Sequence, residues 1–149
     1  MKKIIPLIAP ILFLAFGFFL IGQALPKSLM DQWEDVESEI KKGLPKTAIE
    51  KIDPLIKQAL KDGSHAVAIR AIGQKINLEG AVEGNKAEEK IARMEEEIAK
   101  APEALKPMMR AVLSNWYWQY FQQNRWRFAQ RTRTAEAPGD DITTWDLSR

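Results

Sequence analysis

Between Ser114 and Phe128 the chain reads SNWYWQYFQQNRWRF, and this stretch restricts the possible folds more than any other. Four phenylalanines, Phe13, Phe16, Phe18 and Phe19, belong to an apolar N-terminal leader. Of the nine aromatic residues that remain, seven fall here: Trp116, Tyr117, Trp118, Tyr120, Phe121, Trp126 and Phe128. Buried rings contribute ~1.5–3 kcal/mol or more each, so the core is expected to form against this segment. As a helix, its residues Leu105, Met108, Met109, Val112, Leu113, Trp116, Tyr117, Tyr120 and Phe121 cover an arc of roughly 220°, with Trp118 opposite. A surface helix needs about half that width. The helix is therefore expected to be covered on several sides, and Trp116→Ala to cost ~3–5 kcal/mol.

Upstream, the pattern is helical and punctuated by glycine and proline. Ser28, followed three residues later by Asp31, is a capping signal. Leu29, Met30, Trp33, Val36 and Ile40 then recur at helical spacing until Gly43. Pro45 restarts the chain at a first helical position, and Ala48, Ile49, Ile52, Leu55, Ile56, Ala59 and Leu60 form the next apolar face. Pro54 is expected to kink or divide that helix. After Asp62-Gly63, Ser64 is placed to cap a third helix that runs out before Gly80 and Gly84. Asn85 and Glu88 form a second capping box, opening a helix with Ala87, Ile91, Met94 and Ile98 on one stripe. Glu89, Arg93 and Glu97 are spaced to pair on its outer side. Ala101-Pro102 precedes the aromatic helix, where Pro107 is a possible bend. No stretch alternates like a strand. The chain is read as all-α, antiparallel helical hairpins stacked as a tetratricopeptide-like solenoid or bundle, without the specific tetratricopeptide signature. Residues 28–129 form this domain, and 130–149, with Pro138-Gly139-Asp140-Asp141, read as an irregular linker toward a further domain.

The 149 residues carry a net charge of +2, one histidine and no cysteine. Near-neutral charge gives no support to a nucleic-acid partner. The missing cysteines exclude disulfides, thiol catalysis and cysteine-ligated metals, and one histidine excludes a multi-histidine metal site. Residues 1–27 are a targeting segment. Lys2 and Lys3 precede an uncharged run from Ile4 to Gly22, long enough at ~28 Å as a helix to span a bilayer core of ~30 Å. Gly22-Gln23-Ala24 also fits a cleavage site. Signal peptide and membrane anchor thus stay open as readings of residues 4–22, and both export the rest of the chain to the periplasm or beyond.

Candidate sites were weighed against plainer roles. His65 follows the Ser64 cap with no partner nucleophile indicated, and reads as a first-turn residue. Glu88, Glu89, Glu95, Glu96 and Glu97 are interleaved with Lys86, Lys90, Arg93 and Lys100, a solvated helix face and not a paired-carboxylate site. Arg125, Arg127, Arg131 and Arg133, interleaved with Trp126 and Phe128, have the composition of a single-strand nucleic-acid platform. Their plainer role is to cap, stack on rings or pair with Asp140 and Asp141. No catalytic, cofactor-binding or metal-ligating residue is assigned.

Several segments together resemble the N-terminal helical region of bacterial alpha-2-macroglobulin family proteins. They are Gly43-Leu44-Pro45-Lys46-Thr47-Ala48-Ile49-Glu50, Leu78-Glu79-Gly80 with Gly84-Asn85-Lys86, Glu89-Lys90-Ile91, Asn115-Trp116-Tyr117-Trp118, the run Tyr120 to Phe128, and Thr143-Thr144-Trp145-Asp146-Leu147. The resemblance covers the chain from about Asp31 onward. It implies an exported helical module of a protease inhibitor, engaging proteases only through macroglobulin domains that are not part of these 149 residues. The family's thioester needs a cysteine, which is lacking here, so this piece alone is expected to inhibit nothing. The competing reading is a free-standing periplasmic helical-repeat adaptor for an envelope protein. An enzyme is disfavoured because no nucleophile, base and orienter fall into a recognisable pattern.

Overall fold

Ser28 starts the first helix by reciprocal capping. Its Oγ accepts from the Asp31 amide at 3.1 Å, while the Asp31 carboxylate accepts from the Ser28 amide at 3.2 Å. Helix α1 runs Leu29–Lys41, α2 Pro45–Lys61, α3 His65–Glu83, α4 Ala87–Lys100 and α5 Lys106–Gln130. A 3-10 turn, Ile142–Thr144, follows. This is a computed structural model, describing residues 27–84, 86–131, 139 and 141–146. The leader, Asn85, Arg133 and Asp140 thus lie outside the described residues. The five helices pack as adjacent antiparallel pairs, each chiefly against its neighbours in sequence, and no sheet occurs among the described residues. The tight turns after α1 and α2 pivot on Gly43 (φ 73°) and Gly63 (φ 67°), a left-handed conformation that costs any other residue free energy.

Three apolar clusters hold the stack together. Trp33, Val36, Ala48, Ile52, Leu55, Ala71 and Leu78 join α1, α2 and α3. Ala59, Ile69, Ile72, Ile76, Met94, Ile98, Leu105 and Met109 join α2 and α3 to α4 and α5. The smallest, Ile91, Tyr120, Phe128 and Ile142, ties α4 and α5 to the C-terminal turn. Most fully buried side chains are aliphatic and sit on the first four helices, so the aromatic helix borders the core and is not its centre. Trp116 is only half-buried, packed between two clusters. Its truncation to alanine is therefore expected to cost about 1–3 kcal/mol in a urea melt, below the sequence-based value.

Several local expectations are corrected. Pro54 does not divide α2, which is continuous from Pro45 to Lys61. Proline there leaves one carbonyl without its helical donor, and Pro54 lies on the exposed side, where water can replace that bond. Helix α3 does not stop at Gly80 but continues to Glu83 and ends at Gly84, whose φ of 110° forms a left-handed cap. An added Cβ at Gly80 would come within 2.5 Å of Lys90 Cε, so the missing side chain makes room for α4. Ser64 makes no side-chain cap bond, and α4 is preceded by Lys86, also without one. Pro107 falls in the first turn of α5, where it bends nothing.

Charged residues bridge the helices. The Glu39 carboxylate, on α1, accepts from Lys51 Nζ of α2 at 2.6 Å and from Lys42 Nζ at 3.2 Å. These bonds hold it below the ordinary carboxylate range, although desolvation works the other way. A depressed folded-state value means that stabilisation is present above the unfolded-state value of about 4.3 and lost as pH falls through the folded one. Glu39→Gln is therefore expected to lower the urea midpoint at pH 7 and to narrow its gap from the parent at pH 3. An unchanged gap would show that the pair contributes nothing to acid sensitivity. The Arg70 guanidinium lies 4.0 Å from the centre of the Trp33 ring, and Trp33 Nε1 donates to Glu37 at 2.6 Å.

Candidate functional site

Helix α5 is 25 residues long and α4 only 14, about 37 Å against 21 Å. Antiparallel packing covers the first part of α5 through Leu105, Met109 and Val112, and α4 reaches its C-terminal half only through its own first turns, at Ala87 and Ile91. There the 3-10 turn takes over. Ile142 is buried against Tyr120 and Phe128, and the Trp145 ring stacks on Tyr117 with centroids 5.5 Å apart and planes 17° apart. Trp145 Nε1 donates to the Gly139 carbonyl at 2.9 Å, and Arg131 Nη1 donates to the Trp145 carbonyl at 3.1 Å. Asp141 accepts from both the amide and the hydroxyl of Thr143, bonds that hold its carboxyl below the usual range. This described part of 130–149 is thus seated on α5.

Between α5 and this turn runs an open, largely apolar groove of about 470 Å³, walled by Tyr117, Trp118, Phe121, Phe128, Ile142 and Trp145. Its rings pack against each other: Trp118 on Phe121 at 5.8 Å, Phe121 on Phe128 at 5.5 Å and Tyr120 edge-on to Phe128 at 6.1 Å. Desolvation is the main reason the Tyr120 phenol is pushed up from its ordinary value. Tyr117 donates its hydroxyl to Glu95 of α4.

Outside the groove, the far face of α5 is open. Trp118 is 59% exposed, Trp126 64% and Met108 52%. Met108 and Trp126 share one azimuth on the helix, and Trp118 lies about 80° away, so all three belong to one outward face. Isolated exposed apolar residues elsewhere, such as Met30, Leu60 and Val82, sit on separate helices and are ordinary. The helix that carries this face is also electrically one-sided. From Lys106 to Gln130 there are four cations, Lys106, Arg110, Arg125 and Arg127, and no carboxylate. Lys106 pairs with Glu103 at 2.6 Å. Arg110, Arg125, Arg127 and Arg131 make no ion pair with any carboxylate among the described residues. Arg127 instead donates to Asn124 Oδ1 at 3.3 Å.

The other sequence candidates take structural positions. His65 is the half-buried first residue of α3. These acids of α4 pair locally: Glu89 accepts from Lys86 at 2.8 Å, and Glu96 and Glu97 lie near Lys100 at 3.7 and 3.9 Å. Arg93 does not pair along its own helix but crosses to Glu79, at 3.1 Å, and Glu83 of α3. Lys75 donates to Asp53 of α2 at 2.6 Å and is held above its ordinary value by that bond. Lys75, Asp53, Arg93, Glu79 and Glu83 line a second groove of about 420 Å³ across α2, α3 and α4, where they pair with one another.

Among the described residues no group of three His, Asp or Glu side chains is placed to hold a metal ion. No buried side-chain polar atom among them lacks a partner, so none is held ready for a ligand. No described helix is long and apolar enough to cross a membrane. The outward face of α5 was visible in the sequence only as Trp118, since the wide apolar arc concealed that one flank would stay uncovered. No protein-family model, curated protein or solved structure matches the chain.

Proposed function

We propose that this chain is an exported, non-catalytic docking module, of the kind that forms the helical head of alpha-2-macroglobulin-type protease inhibitors. Its task is to hold position and make contact, while bait and trap belong to other domains of such inhibitors. The observation that carries this reading is the outer face of α5, where two exposed tryptophans and Met108 sit on a helix free of carboxylates. Exposed aromatic surface on one element is costly to keep in water and is characteristic of contact sites. Helices that pack chiefly on their sequence neighbours also suit a tetratricopeptide-like stack, a design that offers extended faces to partners.

The family part of the reading is supported by the resembling segments, several of which occupy structurally demanding positions. Pro45 is the first residue of α2, Gly84 forms the left-handed end of α3, and Trp145 stacks on Tyr117. A free-standing periplasmic adaptor is the second reading, favoured by three apolar clusters that join described residues from Leu29 to Trp145.

A photo-crosslinking amino acid at Gln122, exposed on the same face as Trp118, separates these readings in cells making the full chain. Adducts with macroglobulin domains support the inhibitor head, and adducts with a different envelope protein support the adaptor. Absence of any protein or lipid adduct would overturn docking by this face.

A further inference from the structure

We infer that the outer face of α5 rests on an anionic membrane surface, with Trp118 and Trp126 at headgroup level and Arg125 against lipid phosphates. The inference rests on the docking reading above and names its partner. The chemistry of the face is the first reason. Indole rings combine an apolar body with a polar N–H and settle at the boundary between hydrocarbon and water. Trp118 and Trp126 stand two turns apart, about 12 Å along one side of the helix, so both can enter the same plane.

Charge is the second reason. Arg125 is exposed, lies about 20° from Trp118 around the helix, and makes no ion pair with a carboxylate among the described residues. An acidic lipid surface supplies the missing negative charge, at roughly fivefold in partitioning for each basic residue close to it.

Reach is the third reason. The uncharged run ends at Gly22, seven residues before Leu29 opens α1. Seven residues span at most about 25 Å however they are arranged. While the leader is retained in a bilayer, the helical domain is thus held close to that surface. Such tethering lets a contact too weak to recruit a free protein become well occupied.

The test uses the full chain reconstituted into vesicles of phosphatidylcholine alone or with roughly one-third phosphatidylglycerol. All five tryptophans lie outside residues 1–27, so their fluorescence reports the domain whatever the leader does. Brominated lipid is expected to quench emission in the anionic vesicles, at least ~5-fold less in phosphatidylcholine or at high salt. The double variant Trp118→Ser/Trp126→Ser should lose most of that quenching with an unchanged far-ultraviolet circular dichroism spectrum. Equal quenching in the variant would overturn the inference, and so would equal quenching in both lipids. If quenching is absent but Gln122 crosslinks to a protein, lipid is the wrong partner and the docking reading stands. If both are absent, both fall. Self-association of the full chain in neutral detergent that disappears in the double variant would assign the face to a second copy and equally overturn the lipid contact.

Discussion

Met94→Ala is expected to lower the free energy of unfolding by about 2–5 kcal/mol, read as a shift of the urea midpoint without a change in slope. Met94 is fully buried on α4, in the cluster where Ile69, Ile72 and Ile76 of α3 meet Met109 of α5. Removing its thioether chain would open a cavity bordered by three helices, and the ion pairs from Arg93 to Glu79 and Glu83 on the neighbouring face limit how far α4 can close it. A domain of this size has about 5–15 kcal/mol in total, so the variant would be near the edge of folding at room temperature. A loss below ~1 kcal/mol would mean that α4 can shift to refill the space, and that the stack is looser than its packing implies.

Phe128→Ala carries the second large effect, about 3–5 kcal/mol if the C-terminal turn unfolds together with the rest. The ring is buried near the end of α5, 5.5 Å from Phe121 and edge-on to Tyr120, with Ile142 packed in the same cluster. Of α4 only Ala87 and Ile91 reach this cluster, so the turn at Ile142–Thr144 is held largely by these rings and by Trp145 on Tyr117. Loss of Phe128 should therefore free Trp145, and its emission should shift to the red before the main unfolding transition. Ile142→Ala in the same background should add little, because both substitutions remove one shared contact. Additive losses from the pair would show that Ile142 is anchored independently of Phe128.

Helix starts and stops were legible wherever a single residue type enforces them. Ser28 with Asp31, Pro45 as a first helical residue, and Gly43 and Gly63 as turn pivots act through their own backbone and nearest neighbours. Gly80 and Pro54 misled for a related reason. Both disfavour a helix locally, yet α3 gains from the close approach of Lys90 over Gly80, and α2 keeps Pro54 at its exposed surface. Packing outweighed a propensity cost of one to three kcal/mol, about the range such residues impose.

What this sequence determined by itself was the helical periodicity, the order of the hairpins and the absence of thiol or multi-histidine chemistry, because each follows from residue type and spacing along one chain. The tertiary structure alone decided which flank of the aromatic helix is covered. A periodic pattern marks a face as apolar but does not say how many neighbours arrive to bury it. Here α4 is about 16 Å shorter than α5, and the turn at Ile142 covers only one side. Trp118 and Trp126 consequently face outward, and Arg93 bonds across to α3 in preference to its own helix, since both outcomes depend on distances between segments far apart in sequence.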